Sequence, residues 1–147
     1  MALMDAQPYD ARRARRRRMW IGGILLAILI IIFVGWELRF LPEEHAADRF
    51  FSALEHKDYD HAYALWMADA DWKQHPEKYA RYPFTQFYQD WGPPSEYGVI
   101  SSHSVVGAAN PEMGSGSGVV VTVQINHRPV TAKVWVEKKD KSLGFPP

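Results

Sequence analysis

The chain has 147 residues, enough for one modest domain with extensions, and carries 17 basic and 17 acidic side chains. It contains no cysteine, which excludes disulfides, thiolate metal sites and cysteine nucleophiles. The zero net charge hides a segregation. Residues 1–18 hold six arginines against Asp5 and Asp10, whereas residues 37–147 hold eleven Lys and Arg against fifteen Asp and Glu, a basic tail joined to a mildly acidic domain.

Residues 1–18 read as an arginine-rich cytoplasmic tail. Met19–Trp36 is then eighteen residues without a charge, with a core from Ile24 to Val34 made almost wholly of Ile, Leu, Val and Phe. As a helix it spans roughly 27 Å, close to the ~30 Å of a bilayer's hydrocarbon core. Only a helix satisfies such a segment's backbone hydrogen bonds in lipid. Trp20 and Trp36 stand at the two ends, where indole rings favour the interfaces. Arg12, Arg13, Arg15, Arg16, Arg17 and Arg18 precede the run directly, so the N-terminus is expected in the cytoplasm, with lipid contact at the arginines. A cleaved signal peptide also starts basic and turns apolar. Here the apolar run is too long, and Phe33 to Glu37 offers no small-x-small cleavage pattern. Gly23 and Ala27 share one helix face and suit the close approach of a second helix.

Residues 37–42 form a juncture. Pro42 suits a first helical turn, and Glu43 and Glu44 suit a helix N-terminus. Ala46, Ala47, Phe50, Phe51 and Leu54 recur at helical spacing up to about His56. Lys57-Asp58 breaks that helix, and Asp58 caps a second that carries Ala62, Leu65 and Trp66 and ends near Asp69. A third helix is expected over Glu77–Trp91, interrupted at Pro83 and stopped by Gly92-Pro93-Pro94. From Tyr97 the period becomes two. Val99–Ala108 is strand-like, and 109–118 is a flexible loop. Gly118–Asn126 and Val130–Lys138 alternate cleanly and form a hairpin around Asn126-His127-Arg128-Pro129. Leu143-Gly144-Phe145 adds a short last strand. Helices followed by hairpin-connected strands give an α+β domain over 43–147, with three helices on an antiparallel sheet of three or four strands.

The run Phe50-Phe51-Ser52-Ala53-Leu54, then Lys57-Asp58-Tyr59, Ala62-Tyr63 and Leu65-Trp66, resembles the opening two helices of NTF2-like (cystatin-like cone) domains. The resemblance covers roughly 43–145. It implies a third helix and a curved antiparallel sheet enclosing a cone. It leaves function open, because that family contains enzymes, ligand binders, transport adaptors and small membrane-tethered domains.

In such a cone the lining candidates are Tyr63, Trp66, Tyr88, Trp91, His103 and Trp135. Asp90 and His103 are the one pair suited to proton transfer. His56 and Asp60 lie four apart but straddle a helix break, His45, His61, His75 and His127 are scattered, and no HExxH or calcium loop occurs. The Gly114–Gly118 run lacks the lysine and following helix of a phosphate loop. The acidic outer domain argues against nucleic acid. The sequence therefore reads as a non-enzymatic accessory subunit or scaffold without metal or cofactor. It would be single-pass in a bacterial inner membrane, with a periplasmic domain and with lipid and other membrane subunits as partners. A ligand-binding sensor or carrier with an aromatic pocket is the first alternative, and a tethered enzyme the second.

Overall fold

The computed structural model describes residues 11–112 and 116–147. Most of the expected tail, residues 1–10, lies outside them, as do residues 113–115 of the expected glycine-serine loop. The chain divides after Arg39 into two compact units.

In the first unit, helix α1 covers Ala11–Glu37 and buries none of its residues. It contains no proline, so the arginine run joins the same helix as the apolar run. It is long and apolar enough to cross a membrane. At its C-terminal end the Arg39 guanidinium lies over the Trp36 ring, 3.8 Å from the centroid.

The second unit begins with α2 (Leu41–Glu55), where Pro42 occupies the first turn with Glu43 and Glu44. The Lys57 amide bonds Leu54 O, the Asp58 amide bonds Ala53 O, and Lys57 takes φ 58°. This is a Schellman ending that turns the chain sharply. Asp58 then caps α3 (Tyr59–Met67) by accepting from the His61 amide at 3.1 Å. α3 closes the same way on Ala68, at φ 51°.

The expected helix over 77–91 is only half helix. Two 3-10 turns, Trp72–Gln74 and Pro76–Tyr79, precede α4 (Phe84–Trp91). Pro76 and Pro83 each lack an amide proton and restrict the residue before them, which divides the segment. Gly92 follows α4, where a Cβ would come 3.1 Å from the Tyr88 ring and closer still to its carbonyl oxygen, at 2.5 Å.

Four strands form an antiparallel meander in the order β1 (His103–Ala109), β2 (Gly118–Ile125), β3 (Thr131–Glu137), β4 (Leu143–Gly144). The β2–β3 turn has positive φ at both Asn126 (53°) and His127 (52°), with the Arg128 amide bonding Ile125 O. Those angles match the type I′ geometry that suits strand twist. In β1 the register slips between Val105 and Gly107, so Val106 bulges. The slip lets both Val105 and Ala108 pack on the core while Val106 stands in solvent. The strand starts at His103, four residues later than its sequence pattern.

One face of the sheet carries Val119, Val121, Val123, Ile125, Ala132, Val134 and Val136, all buried. It packs on α2, whose Phe50 and Phe51 are fully buried. Phe50 meets Trp91 edge-on at 5.2 Å and Trp66 at 5.3 Å, and Phe87 completes the cluster. On the other face the Trp135 ring covers Gly118, where a Cβ would collide with the indole and lie 2.6 Å from the Val136 carbonyl oxygen.

Candidate functional site

The six aromatic and histidine candidates separate into different surroundings. Tyr63, Trp66 and Trp91 are buried in the core. The Tyr63 hydroxyl donates to the Tyr82 carbonyl at 2.6 Å, which satisfies its one polar atom inside an apolar cluster. Tyr88 sits half-buried, edge-on to Tyr59 at 5.0 Å. Trp135 occupies the sheet face opposite Val134 and Val136. The structure therefore does not gather the six around one cavity. Phenylalanines and valines occupy the space between helices and sheet.

Asp90 and His103 belong to separate networks. Asp90 accepts from the Tyr82 hydroxyl at 2.9 Å and from Gln86 at 3.2 Å. Burial, reinforced by the Asp90 contact, pushes the Tyr82 hydroxyl well above its ordinary value, so it stays a neutral donor. His103 stacks on the Phe51 ring at 5.8 Å. Its Nδ1 lies 2.6 Å from Glu55 and its Nε2 3.1 Å from Asp48. Asp48 and Glu55 stand seven apart on α2, two turns along one face, so this histidine ties β1 to α2. Among the described residues, no group of three or more His, Cys, Asp or Glu side chains is arranged to hold a metal ion.

A third polar cluster organises residues 69–82. The Asp69 carboxylate accepts from the Tyr79 hydroxyl, from His75 at 2.9 Å and from Lys78 at 3.4 Å, and its other oxygen accepts the Asp71 amide at 2.9 Å. The Tyr79 hydrogen bond first, then the Asp71 amide and Lys78, hold this carboxyl below its ordinary value against the opposing effect of partial burial. A carboxylate whose pKa falls on folding adds stability above its unfolded value, about pH 4, and loses it as pH drops through the folded value. Asp69→Asn should therefore be less stable than wild type at pH 7, with the difference shrinking as pH falls below about 4 and the carboxylate takes up its proton. Denaturant titrations of both proteins from neutral into acid pH check this; a gap that does not change with pH would show that the carboxylate charge is irrelevant.

Several clefts open on the second unit, and two of them border the sheet or the end of α4. The larger, about 600 Å³, lies on the helix-free face of the sheet and is bordered by Pro111, Val120, Thr122, Lys133 and Pro146. The other, about 570 Å³, lies beside the end of α4 and is bordered by Asp90, Trp91, Ser95, Glu96, Tyr97, Lys133 and Phe145. Trp91 is nearly parallel to Tyr97 (15°, 5.6 Å) and to Phe145 (10°, 6.3 Å). Of the six lining candidates only Trp91 borders it, together with Asp90 of the proton-transfer pair. In sequence Gly92-Pro93-Pro94 reads merely as a helix stop, Tyr97 as the point where the period becomes two, and Phe145 as the end of a strand. Only the fold brings these ends of two distant segments together.

On α1, Gly23 and Ala27 form the floor of a shallow groove of about 520 Å³, with Arg16, Met19, Trp20 and Ile24 around it. A Cβ added at Gly23 meets nothing within 4 Å, so packing within this chain does not require the glycine. Arg15, Arg16, Arg17 and Arg18 are exposed. Four consecutive residues at about 100° per step place a guanidinium on every side of the helix, just ahead of Met19. Comparison with family models, curated proteins and solved structures finds no match to this chain.

Proposed function

We propose that this protein is a non-catalytic interaction module tethered to a bilayer. Helix α1 crosses the membrane with its arginines in the cytoplasm, and residues 43–147 form an NTF2-like domain on the far, periplasmic side. There the domain serves as an accessory subunit or scaffold on a larger membrane assembly. The observation that carries this reading is the apolar run itself, whose large side chains from Met19 to Trp36 are 45–70% exposed. Exposed apolar area of that extent costs about 25 cal/mol per Å² in water and nothing in lipid. The order of three helices and then a four-stranded meander packed on α2 supports the NTF2-like assignment. The filled space between helices and sheet favours an interaction role over an enclosed catalytic chamber.

Membrane fractionation tests the tether. The full chain should stay with membranes through alkaline carbonate washing. The pair Leu29→Lys and Ile30→Lys, each costing about 3 kcal/mol at mid-span, should release it. Native-gel sizing after gentle solubilisation tests the assembly role: migration as a lone protomer would count against it, and free passage of the wild-type chain into the aqueous fraction would remove the tether.

A further inference from the structure

The groove on α1 has a graded lining. Arg16, Met19, Trp20, Gly23, Ile24 and Ala27 border about 520 Å³ along one side of the helix. At about 100° per residue, positions 16, 20, 23 and 27 fall within about 60° of one line down the helix. Along that line a guanidinium gives way to an indole, and the indole to a floor with almost no side chain. A glycerophospholipid has the same gradient, from an anionic phosphate through polar glycerol esters to an acyl chain.

Charge selects the occupant. Between Ala11 and Trp36 the chain holds six arginines and no acidic side chain, and Arg16 is exposed. A guanidinium at the end of an apolar groove suits a phosphate. A second copy of α1 packed in parallel would instead set one arginine run against another, like charges at close approach. Gly23 is a poor helix former, yet a Cβ there would meet nothing within 4 Å, and the same holds at Gly22. Nothing in the chain uses that space, so a guest accounts for it. Length fits as well. Met19 to Ala27 covers roughly 12 Å of helix, against roughly 15 Å for half a hydrocarbon core.

We propose that this groove seats one anionic glycerophospholipid of the leaflet at the arginine end. Its phosphate accepts from the Arg16 guanidinium, and one acyl chain lies along Gly23 and Ala27 beside the Trp20 ring. This seat presupposes that α1 crosses a bilayer, and it adds a lipid preference to the tether.

The test places the full chain in phosphatidylcholine nanodiscs doped with increasing phosphatidylglycerol and reads the indole N–H cross-peaks in proton–nitrogen spectra. The Trp20 peak should shift saturably, while those of Trp66 and Trp91, buried in the outer domain, stay fixed. Arg16→Gln should raise the midpoint about tenfold. Gly23→Leu, which fills the floor and leaves every charge in place, should raise it about fivefold. Arg17→Gln removes the same charge but sits about 100° around the helix, and should raise it about twofold at most. Equal effects of Arg16→Gln and Arg17→Gln would reduce the seat to the diffuse attraction of a charged collar and overturn the proposal. A linear drift of the Trp20 peak without saturation, or an unchanged midpoint in Gly23→Leu, would do the same. So would two copies per disc that Gly23→Leu separates, which would assign the groove to helix pairing. All of these outcomes leave the tether standing, because the chain is still in the disc. A chain that stays outside discs of either lipid would remove the tether itself, and this seat with it.

Discussion

Asn126→Ala should destabilise the outer domain by about 2–3 kcal/mol, more than its half-exposed turn position suggests. The Asn126 side chain acts as a clamp. Its Oδ1 accepts from the Ser101 amide at 2.8 Å, the Ser101 hydroxyl at 3.0 Å and the Ser102 amide at 3.2 Å, while its Nδ2 donates to Val99 O at 2.9 Å. The backbone contributes as well, with the Asn126 amide bonding Ser102 O at 2.9 Å. Each side-chain bond contributes about 0.5–1.5 kcal/mol net, reduced here by partial access to water. Alanine would also have to hold φ 53°, which asparagine tolerates better. Asn126→Gly relieves the backbone while losing the clamp, and Asn126→Asp keeps the acceptor while losing only the bond to Val99. Stability should therefore fall in the order wild type, Asp, Gly, Ala. Thermal melts check it, since 1 kcal/mol shifts a domain of this size by about 4–8 °C. A loss below 0.5 kcal/mol for the alanine variant would mean the four bonds are replaced by water at no cost.

The clamp also explains why β1 begins where it does. Val99, Ser101 and Val105 alternate as a strand should, yet Asn126, some 25 residues away in sequence, binds 99–102 as an irregular connection. The pairing partner of β1 starts only at Ile125, opposite His103. Alternation within a segment reports its local preference and says nothing about where its neighbour ends. The Val106 bulge is invisible for the same reason, because it follows from a partner strand one residue shorter over the same span. By contrast the Lys57-Asp58 break, the Asn126-His127 turn and the alternation of β2 and β3 are legible from sequence. Their causes lie within four or five residues: caps, positive-φ turn chemistry and side-chain period.

The candidate site was much less legible. Helical spacing identifies Tyr63, Trp66, Trp91 and Phe87 as one apolar set without distinguishing a filled core from a lined cavity. The alternation that turns Val134 and Val136 inward already assigns Trp135 to the other face, so that residue was separable on period alone. Asp69 illustrates the opposite limit. Its partners His75, Lys78 and Tyr79 follow no helical spacing, because the segment is held in 3-10 turns by the very contacts that would have to be foreseen.

Lys141→Met should cost about 2 kcal/mol, and Lys141→Met combined with Glu43→Leu should recover part of that loss. Glu43 is the one charged residue that is buried among the described residues, at 5% exposure. Lys141 Nζ reaches its Oε1 at 2.8 Å and also donates to Lys138 O at 2.6 Å. The pair ties the first turn of α2 to the turn between β3 and β4. Removing the lysine leaves a buried carboxylate without its cation, a loss of up to about 3–5 kcal/mol in closed interiors. Here the α2 N-terminus offsets some of it, since a carboxylate in the first turn faces the positive end of the helix dipole. Methionine keeps the length of the side chain, and like lysine it has a Cβ to accommodate at the positive φ of this position, 61°. The substitution therefore isolates the charge from both packing and backbone. Leucine at 43 removes the stranded carboxylate and substitutes apolar volume, so the double variant should be more stable than Lys141→Met alone. Denaturant midpoints of the two singles and the double close the cycle. Strict additivity would show that the two side chains do not interact, and that Lys141 acts only through Lys138.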